Sequence, residues 1–174
     1  MTSGIYNVRC ALPHEFLRVG QLMVAVYSRL EGFPNKKEQP DYYRMLANIG
    51  EQTNKPNTEL LVCVMAEGII GGAVVYFSDM AQYGSGGTAT KEINASGFRL
   101  LAVDPKFRGN GIGKLLTKAC IQKAISHNNT QVIIHSTEFM RIAWEIYINI
   151  GFERSEDLDF MQGELPVYGF RLQL

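Results

Sequence analysis

The chain has 174 residues, of which 46% are hydrophobic and 20% are charged, a composition ordinary for one soluble globular domain. Seventeen basic residues balance seventeen acidic ones, so no global field would gather nucleic acid or anionic lipid. Any anion that binds must therefore be held by a local site. Cys10, Cys63 and Cys120 are far apart in apolar segments, which favours reduced core thiols over a disulfide framework.

The N-terminus lacks the basic and apolar pattern of a signal peptide, and the longest apolar run, at 69–77, is far too short to span a membrane. We therefore expect a single domain over residues 1–174 that is soluble and cytoplasmic. Neither a nucleic acid nor a membrane is an expected partner.

In the first half of the chain, residues 5–10 predict a strand, and apolar residues at helical spacing over 13–30 predict a helix. Asp41 is the predicted N-cap of a second, short helix that Gly50 would end. Runs rich in Val and Ile at 60–65 and 69–77, joined by a short turn, predict an antiparallel hairpin.

In the second half, the patterns predict a strand over 96–103, a helix over 112–127 and a short buried strand over 132–135. This order implies a right-handed parallel crossover. A further amphipathic helix over 142–150 ends at Gly151 and leads to strands near Phe152 and over 168–172. The expected fold is a mixed sheet covered by helices, class α/β or α+β.

The most informative stretch is 103–113, where a predicted strand passes through a glycine-rich turn into a helix. Such a turn leaves backbone N–H groups unpaired at a helix N-terminus, where the dipole favours phosphate. Glycines at 109, 111 and 113 remove side chains that would block a ligand, and Arg108 and Lys114 add positive charge. The stretch predicts a phosphate cradle, with a tight turn that binds no ligand as the alternative.

Two common phosphate motifs fit this stretch poorly. A Walker loop requires Gly at the position of Arg108 and Ser or Thr at that of Leu115, so it fails twice. A dinucleotide fingerprint fits residues 109–111, but it then requires Gly or Ala at the position of Lys114.

Arg108, Gly111 and Gly113 instead match a signature of Gln or Arg, two residues, Gly, one residue, then Gly or Ala. The stretch thus resembles the coenzyme A signature of the GNAT family of N-acetyltransferases. Residues 100–105 resemble that family's fourth strand, and residues 143–152 resemble its last helix and the following turn. The C-terminal half looks most like small bacterial members. The resemblance implies a mixed, mostly antiparallel sheet of about six to seven strands, with splayed fourth and fifth strands.

The resemblance also implies acetyl-CoA as co-substrate, with pantetheine in the gap between those two strands and pyrophosphate on the turn, and no metal. The implied cofactor-binding residues are Leu101, Ala102 and Val103 on the strand and Arg108, Gly109, Asn110, Gly111, Ile112, Gly113 and Lys114 on the turn. A backbone N–H near Leu101 is the candidate for stabilising an oxyanion.

Tyr147 matches the family tyrosine near the acetyl-CoA sulfur. Its phenol, with an ordinary pKa of about 10, can donate a proton at neutral pH. We therefore take Tyr147 as the candidate general acid, with core packing as the alternative role of a tyrosine on an apolar helix face.

The general base is harder to assign, because Gly97 stands where many relatives carry a glutamate. His135 could relay a proton through water, although a lone histidine beside an apolar run more often has a structural role. Glu92 and Glu138 are weaker candidates. Met140 also departs from the family, which often has an asparagine at this position.

The function implied is transfer of an acetyl group from acetyl-CoA to a primary amine of a small molecule or peptide by direct attack. We expect acceptor specificity to come from the N-terminal helices and the 79–94 loop, with Tyr42, Tyr43 and Tyr83 as candidate pocket residues. A non-catalytic acyl-CoA sensor and a nucleotide-binding module are the alternatives. A homodimer remains open.

Overall fold

The computed structural model describes residues 6–174, so residue 5, at the start of the predicted first strand, lies outside the described part. The helices are α1 (Phe16–Tyr27), α2 (Pro40–Ala47), α3 (Ile112–Ser126) and α4 (Arg141–Ile150). The strands are β1 (Asn7–Cys10), β2 (Thr58–Val64), β3 (Ile70–Phe77), β4 (Ala95–Val103), β5 (Gln131–Ser136), β6 (Glu153–Arg154), β7 (Phe160–Gln162) and β8 (Leu165–Gln173).

The strands form a mixed sheet in the order β1-β2-β3-β4-β5-β8-β6, and β7 pairs with β8 beside this path. Within residues 6–174, β4 and β5 form a parallel pair joined through α3, and the other pairs are antiparallel. The predicted class, hairpin and parallel crossover are confirmed. The described chain has eight strands, one more than the upper end of the expected six to seven. The strand predicted near Phe152 is β6, and the strand that was not predicted is β7, whose three residues are too few for a repeating pattern.

The two faces of the sheet carry separate cores, one covered by α1 and α2 and the other by α3 and α4. Along β2, Leu60 and Val62 join the first core, whereas Leu61 and Cys63 join the second. This alternation follows from the period of two in a strand. Because β2 and β3 are buried on both faces, their sequences are continuous apolar runs.

The starts of the first two helices differ from the predictions. A short 3₁₀ turn precedes α1, which begins at Phe16. The predicted N-cap Asp41 is wrong, because α2 begins one residue earlier at Pro40, a residue favoured in the first helical turn. Asp41 instead forms an ion pair with Arg44 at 2.8 Å.

Among the described residues no helix is long and apolar enough to cross a membrane.

Of the three cysteines, Cys63 and Cys120 are buried as predicted, but Cys10 is exposed. Cys10 ends β1, which lies at the edge of the sheet, and its Sγ lies 3.3 Å from Oε1 of Glu59. The prediction of a core role for Cys10 is wrong, because an edge strand keeps part of its surface in water.

The pairing of β4 with β5 is short, and this gives the fold its gap. The two strands pair at three positions, from Ala95 opposite Gln131 to Gly97 opposite Ile133. Beyond Gly97, β4 continues beside β3 alone, with a bulge in which Leu100 has a φ of +59°. The predicted splay between the fourth and fifth strands is confirmed.

We predict that Gly97→Ala destabilises the protein, because a Cβ there would lie 2.8 Å from the Tyr83 ring and 2.9 Å from the Ile133 carbonyl oxygen. Overpacking of this kind costs about 1–3 kcal/mol in the free energy of unfolding, measurable by urea denaturation. Gly113→Ala is the matched control, since its Cβ would meet only the mobile end of Ile146 within 3.4 Å. Equal stability of the two variants would contradict this account.

Candidate active site

The loop between β4 and α3 is held by hydrogen bonds to its own backbone. The Asp104 side chain accepts a hydrogen bond from the backbone N–H of Lys106 at 3.0 Å. Nδ2 of Asn110 donates to the carbonyl oxygen of Phe107 at 2.9 Å. Short polar side chains commonly fix loops in this way, so Asn110 has a structural role in addition to its predicted place in the cradle.

The outer side of this loop is open. Gly109 and Gly111 have φ values of +80° and +79°, a region in which other residues are strained. A Cβ added to either glycine would have no heavy atom of residues 6–174 within 4 Å. A ligand can therefore approach the backbone closely at both positions.

Free donors line the start of α3. Gly111 is the N-cap, no side chain caps the helix, and its carbonyl accepts a hydrogen bond from the N–H of Leu115 at 3.0 Å. The N–H groups of residues 112–114 have no acceptor in the described part of the chain. Arg108 and Lys114 are exposed beside them. Unpaired donors, the helix dipole and two cations suit this turn to a phosphate group.

The gap beyond the last β4–β5 pair is bordered by groups with unused hydrogen-bonding capacity. Ser136 Oγ and Thr137 Oγ1, at the end of β5, are buried without a partner among residues 6–174. A buried hydroxyl without a partner is uncommon and calls for an explanation. On the β4 side, by contrast, the Leu101 carbonyl oxygen already accepts a hydrogen bond from the Tyr27 hydroxyl at 3.2 Å.

Tyr147 lies between α4 and the sheet. Its ring packs edge-on against Phe98 of β4 at a centroid distance of 5.8 Å, and 6% of its surface is exposed. Burial raises the pKa of Tyr147 well above its ordinary value, which keeps the phenol protonated at neutral pH. Its hydroxyl has no hydrogen-bond partner within the described residues.

His135 is held at both ring nitrogens. Nε2 lies 2.8 Å from the Leu158 carbonyl oxygen, which can only accept, so Nε2 carries the proton. Nδ1 then accepts a hydrogen bond from the Tyr83 hydroxyl at 3.1 Å. Burial lowers the pKa of His135, and the ring is therefore neutral at pH 7. A proton-relay role for His135 stays a prediction. The two hydrogen bonds give the ring a structural role in either case.

The position of Tyr83 explains why residue 97 is a glycine here and not the glutamate that the resemblance leads one to expect. Its ring fills the space that a side chain on Gly97 would need, and Tyr83 itself is fully buried.

The two weaker candidate bases have different surroundings. Glu92 forms an ion pair with Arg171 at 2.8 Å, and Glu138 is exposed before α4. In the described part of the chain no cluster of His, Cys, Asp or Glu is arranged to hold a metal ion.

A cleft lies between the loop after α1 and the β7–β8 hairpin. It is lined by Phe33, Pro34, Gln39, Tyr42, Gln162 and Leu165. Of the three candidate pocket tyrosines, Tyr42 lines this cleft. Tyr43 is buried and donates to the Pro34 carbonyl, and Tyr83 is buried as well. The contribution of the β7–β8 hairpin was not predicted, because its short strands carry no periodic signal.

A family model for the acetyltransferase (GNAT) domain matches residues 44–172. The chain therefore belongs to the GNAT family of acetyltransferases, whose members are acyltransferases.

Solved structures with the same fold include a GNAT-family acetyltransferase of Staphylococcus aureus Mu50, with a TM-score of 0.73 and 16% identity over 97% of this chain and 99% of that one. A GCN5-related N-acetyltransferase of Kribbella flavida has a TM-score of 0.71 and 16% identity over 99% of each chain. A candidate acetyltransferase of Salmonella typhimurium, solved with its cofactor acetyl-CoA, has a TM-score of 0.69 and 14% identity over 98% of this chain and 95% of that one. A search of curated protein sequences finds no match.

We predict that His135 makes the folded state sensitive to acid. Its native pKa lies below the unfolded value of about 6.5, so below that pH the unfolded state binds more protons and stability falls. His135→Gln should therefore lose less stability than wild type between about pH 8 and pH 5, as measured by urea unfolding. An unchanged pH dependence in His135→Gln would contradict the assignment.

Proposed function

We propose that this protein is an acetyl-CoA-dependent N-acetyltransferase that moves an acetyl group to a primary amine of a small molecule or peptide by direct attack. The observation that carries the proposal is the open, cationic cradle at the start of α3, beside the gap between β4 and β5. Membership of the GNAT family supports it, as does the structural neighbour that contains acetyl-CoA.

The pyrophosphate would be held by the free N–H groups of Ile112, Gly113 and Lys114 and by the charge of Arg108, with Gly109, Asn110 and Gly111 forming the turn. The pantetheine arm would run along the edge of β4 that faces away from β3, at Leu101, Ala102 and Val103. The buried hydroxyls of Ser136 and Thr137 lie at the end of β5, on the other side of the same gap. That neither hydroxyl has a partner within residues 6–174 is consistent with a polar ligand between the strands.

Acetyl-CoA supplies a thioester, and the chain must position it, polarise its carbonyl and provide a proton for the departing thiolate. Positioning two reactants is worth up to about 7–11 kcal/mol of the barrier. The backbone N–H near Leu101 would stabilise the developing oxyanion. Tyr147, protonated and without another hydrogen-bond partner in the described chain, would donate the proton to sulfur.

A non-catalytic acyl-CoA sensor is a second candidate, favoured by the absence of a carboxylate at Gly97. Tight binding of acetyl-CoA without release of free coenzyme A, over a broad panel of amines, would support the sensor and exclude the transferase. A nucleotide-binding module would require NAD or ATP to bind more tightly than acetyl-CoA in calorimetry.

We predict that Gly111→Asp weakens acetyl-CoA binding by about 100-fold or more, or about 2.7 kcal/mol. The change places a side chain and a negative charge where phosphate would approach the N–H groups. Gly163→Asp is the matched control, because Gly163 also has a positive φ, +62°, and open space around its Cα. Calorimetry should show near-normal affinity in this control, and equal losses in both variants would remove the cradle from the proposal.

We predict that Tyr147→Phe lowers kcat by roughly 10²–10⁴-fold, the usual contribution of a positioned acid, with little change in the affinity for acetyl-CoA. The change removes the hydroxyl and keeps the ring packed on Phe98. In the control Tyr76→Phe, the lost hydroxyl is one that contacts Ser96 and His127 away from the gap, so kcat should be near normal. A near-normal kcat in Tyr147→Phe would end its assignment as the acid.

A further inference from the structure

Three arginines of the described chain are partly buried: Arg9, Arg99 and Arg171. Arg9 forms an ion pair with Glu15 at 2.8 Å, and Arg171 forms one with Glu92. Arg99 has no carboxylate partner among residues 6–174. A charge taken out of water is costly unless it is paired. An anion bound beside Arg99 would therefore supply the partner that the described chain does not.

The surroundings of Arg99 are aromatic and leave most of its donors free. Nη1 donates to the Tyr83 carbonyl at 2.9 Å, and the guanidinium carbon lies 5.6 Å from the centroid of the Tyr83 ring. A guanidinium has five N–H donors in a planar fork, and this is the one hydrogen bond from the Arg99 side chain within the described residues. The charge of Arg99 also acts on Tyr42, whose pKa is raised by burial and partly lowered again by this arginine.

The position of Arg99 on β4 places it next to the proposed reacting centre. Arg99 lies opposite Val75, which packs in the core under α1 and α2, and opposite residues share a face of the sheet. Arg99 therefore faces α1 and α2, whereas Phe98 faces Tyr147 on the other side. Leu101 is two residues further along β4. Its Cα lies within about 7 Å of the Cα of Arg99, because a strand rises about 3.3 Å per residue.

The cleft lined by Tyr42 lies on this same side of the sheet. Tyr42 belongs to α2 and packs with Tyr27 at a centroid distance of 6.3 Å, and the Tyr27 hydroxyl reaches the Leu101 carbonyl. The charge of Arg99 acts on Tyr42, so an acceptor bound in this cleft would lie within reach of the field of Arg99.

We propose that Arg99 binds a carboxylate of the acceptor, so that the substrate class is amines that also carry a carboxylate, such as free amino acids. This inference rests on the proposed function and names its acceptor. A planar guanidinium pairs with a carboxylate through two parallel hydrogen bonds, which would fix the amine relative to β4. Acceptors with additional positive charge, such as polyamines, would be repelled by the same group.

The test compares matched acceptors: the proteinogenic amino acids, the carboxamide of each one, and spermidine. We expect wild-type kcat/KM to be about 10–100-fold higher for the preferred amino acid than for its carboxamide, the range expected for hydrogen bonds to a charged group. Arg99→Gln should lose this preference, because kcat/KM should fall for the amino acid and stay nearly unchanged for its carboxamide. Arg44→Gln, which removes an exposed arginine on α2, should retain it.

A binding measurement separates this inference from the proposed function. Calorimetry on the protein saturated with coenzyme A, using N-acetyl amino acids and their carboxamides as probes, should show tighter binding of the acids in wild type and not in Arg99→Gln. Selective binding without turnover of any amine would contradict the transferase and retain the anion site. Carboxamides or spermidine that react and bind as well as the acids would overturn the role of Arg99. Because that comparison uses the wild-type protein, it does not depend on the folding of a variant.

Discussion

The early end of pairing between β4 and β5 is the constraint on which the site depends. Beyond the Gly97–Ile133 pair, backbone groups on the inner edge of β4 lose a partner strand, and such groups need other hydrogen bonds. The space is closed on one face by Tyr147 and Phe98 and on the other by Tyr83 and its hydrogen bond to His135. The sheet is therefore open at its centre and well packed around the opening.

The central fold and the cradle could be predicted from the sequence because their signals are local. The hairpin of β2 and β3 comes from adjacent apolar runs, and the turn before α3 comes from glycines a few residues apart. The surroundings of the gap could not be predicted, since Tyr83 and His135 are 52 residues apart and only the folded sheet brings them together. That Arg99 has no ion partner in the described part of the chain is likewise a property of tertiary structure.

Positions 97 and 99 together give this site an electrostatic character different from the one expected by resemblance. Both residues face α1 and α2, since alternate residues of a strand share a face. Gly97 replaces an expected carboxylate, the Tyr83 ring fills the space beside it, and the backbone carbonyl of Tyr83 accepts a hydrogen bond from Arg99. A positive group thus lies at this edge of the gap in place of the expected negative one, and this supports the proposal of an acceptor that carries a carboxylate.

The hydrogen bond from Tyr27 to the Leu101 carbonyl joins the end of α1 to the strand proposed to hold the thioester. The chain after Tyr27 forms one wall of the cleft lined by Tyr42, at Phe33 and Pro34. A displacement of α1 by an acceptor would therefore be transmitted to β4 at the carbonyl of Leu101. Thermodynamic reciprocity then requires that, if acceptor binding changes the affinity for acetyl-CoA by some factor, acetyl-CoA changes the affinity for the acceptor by the same factor. A hydrogen bond between α1 and β4 would thus couple the two proposed sites in both directions.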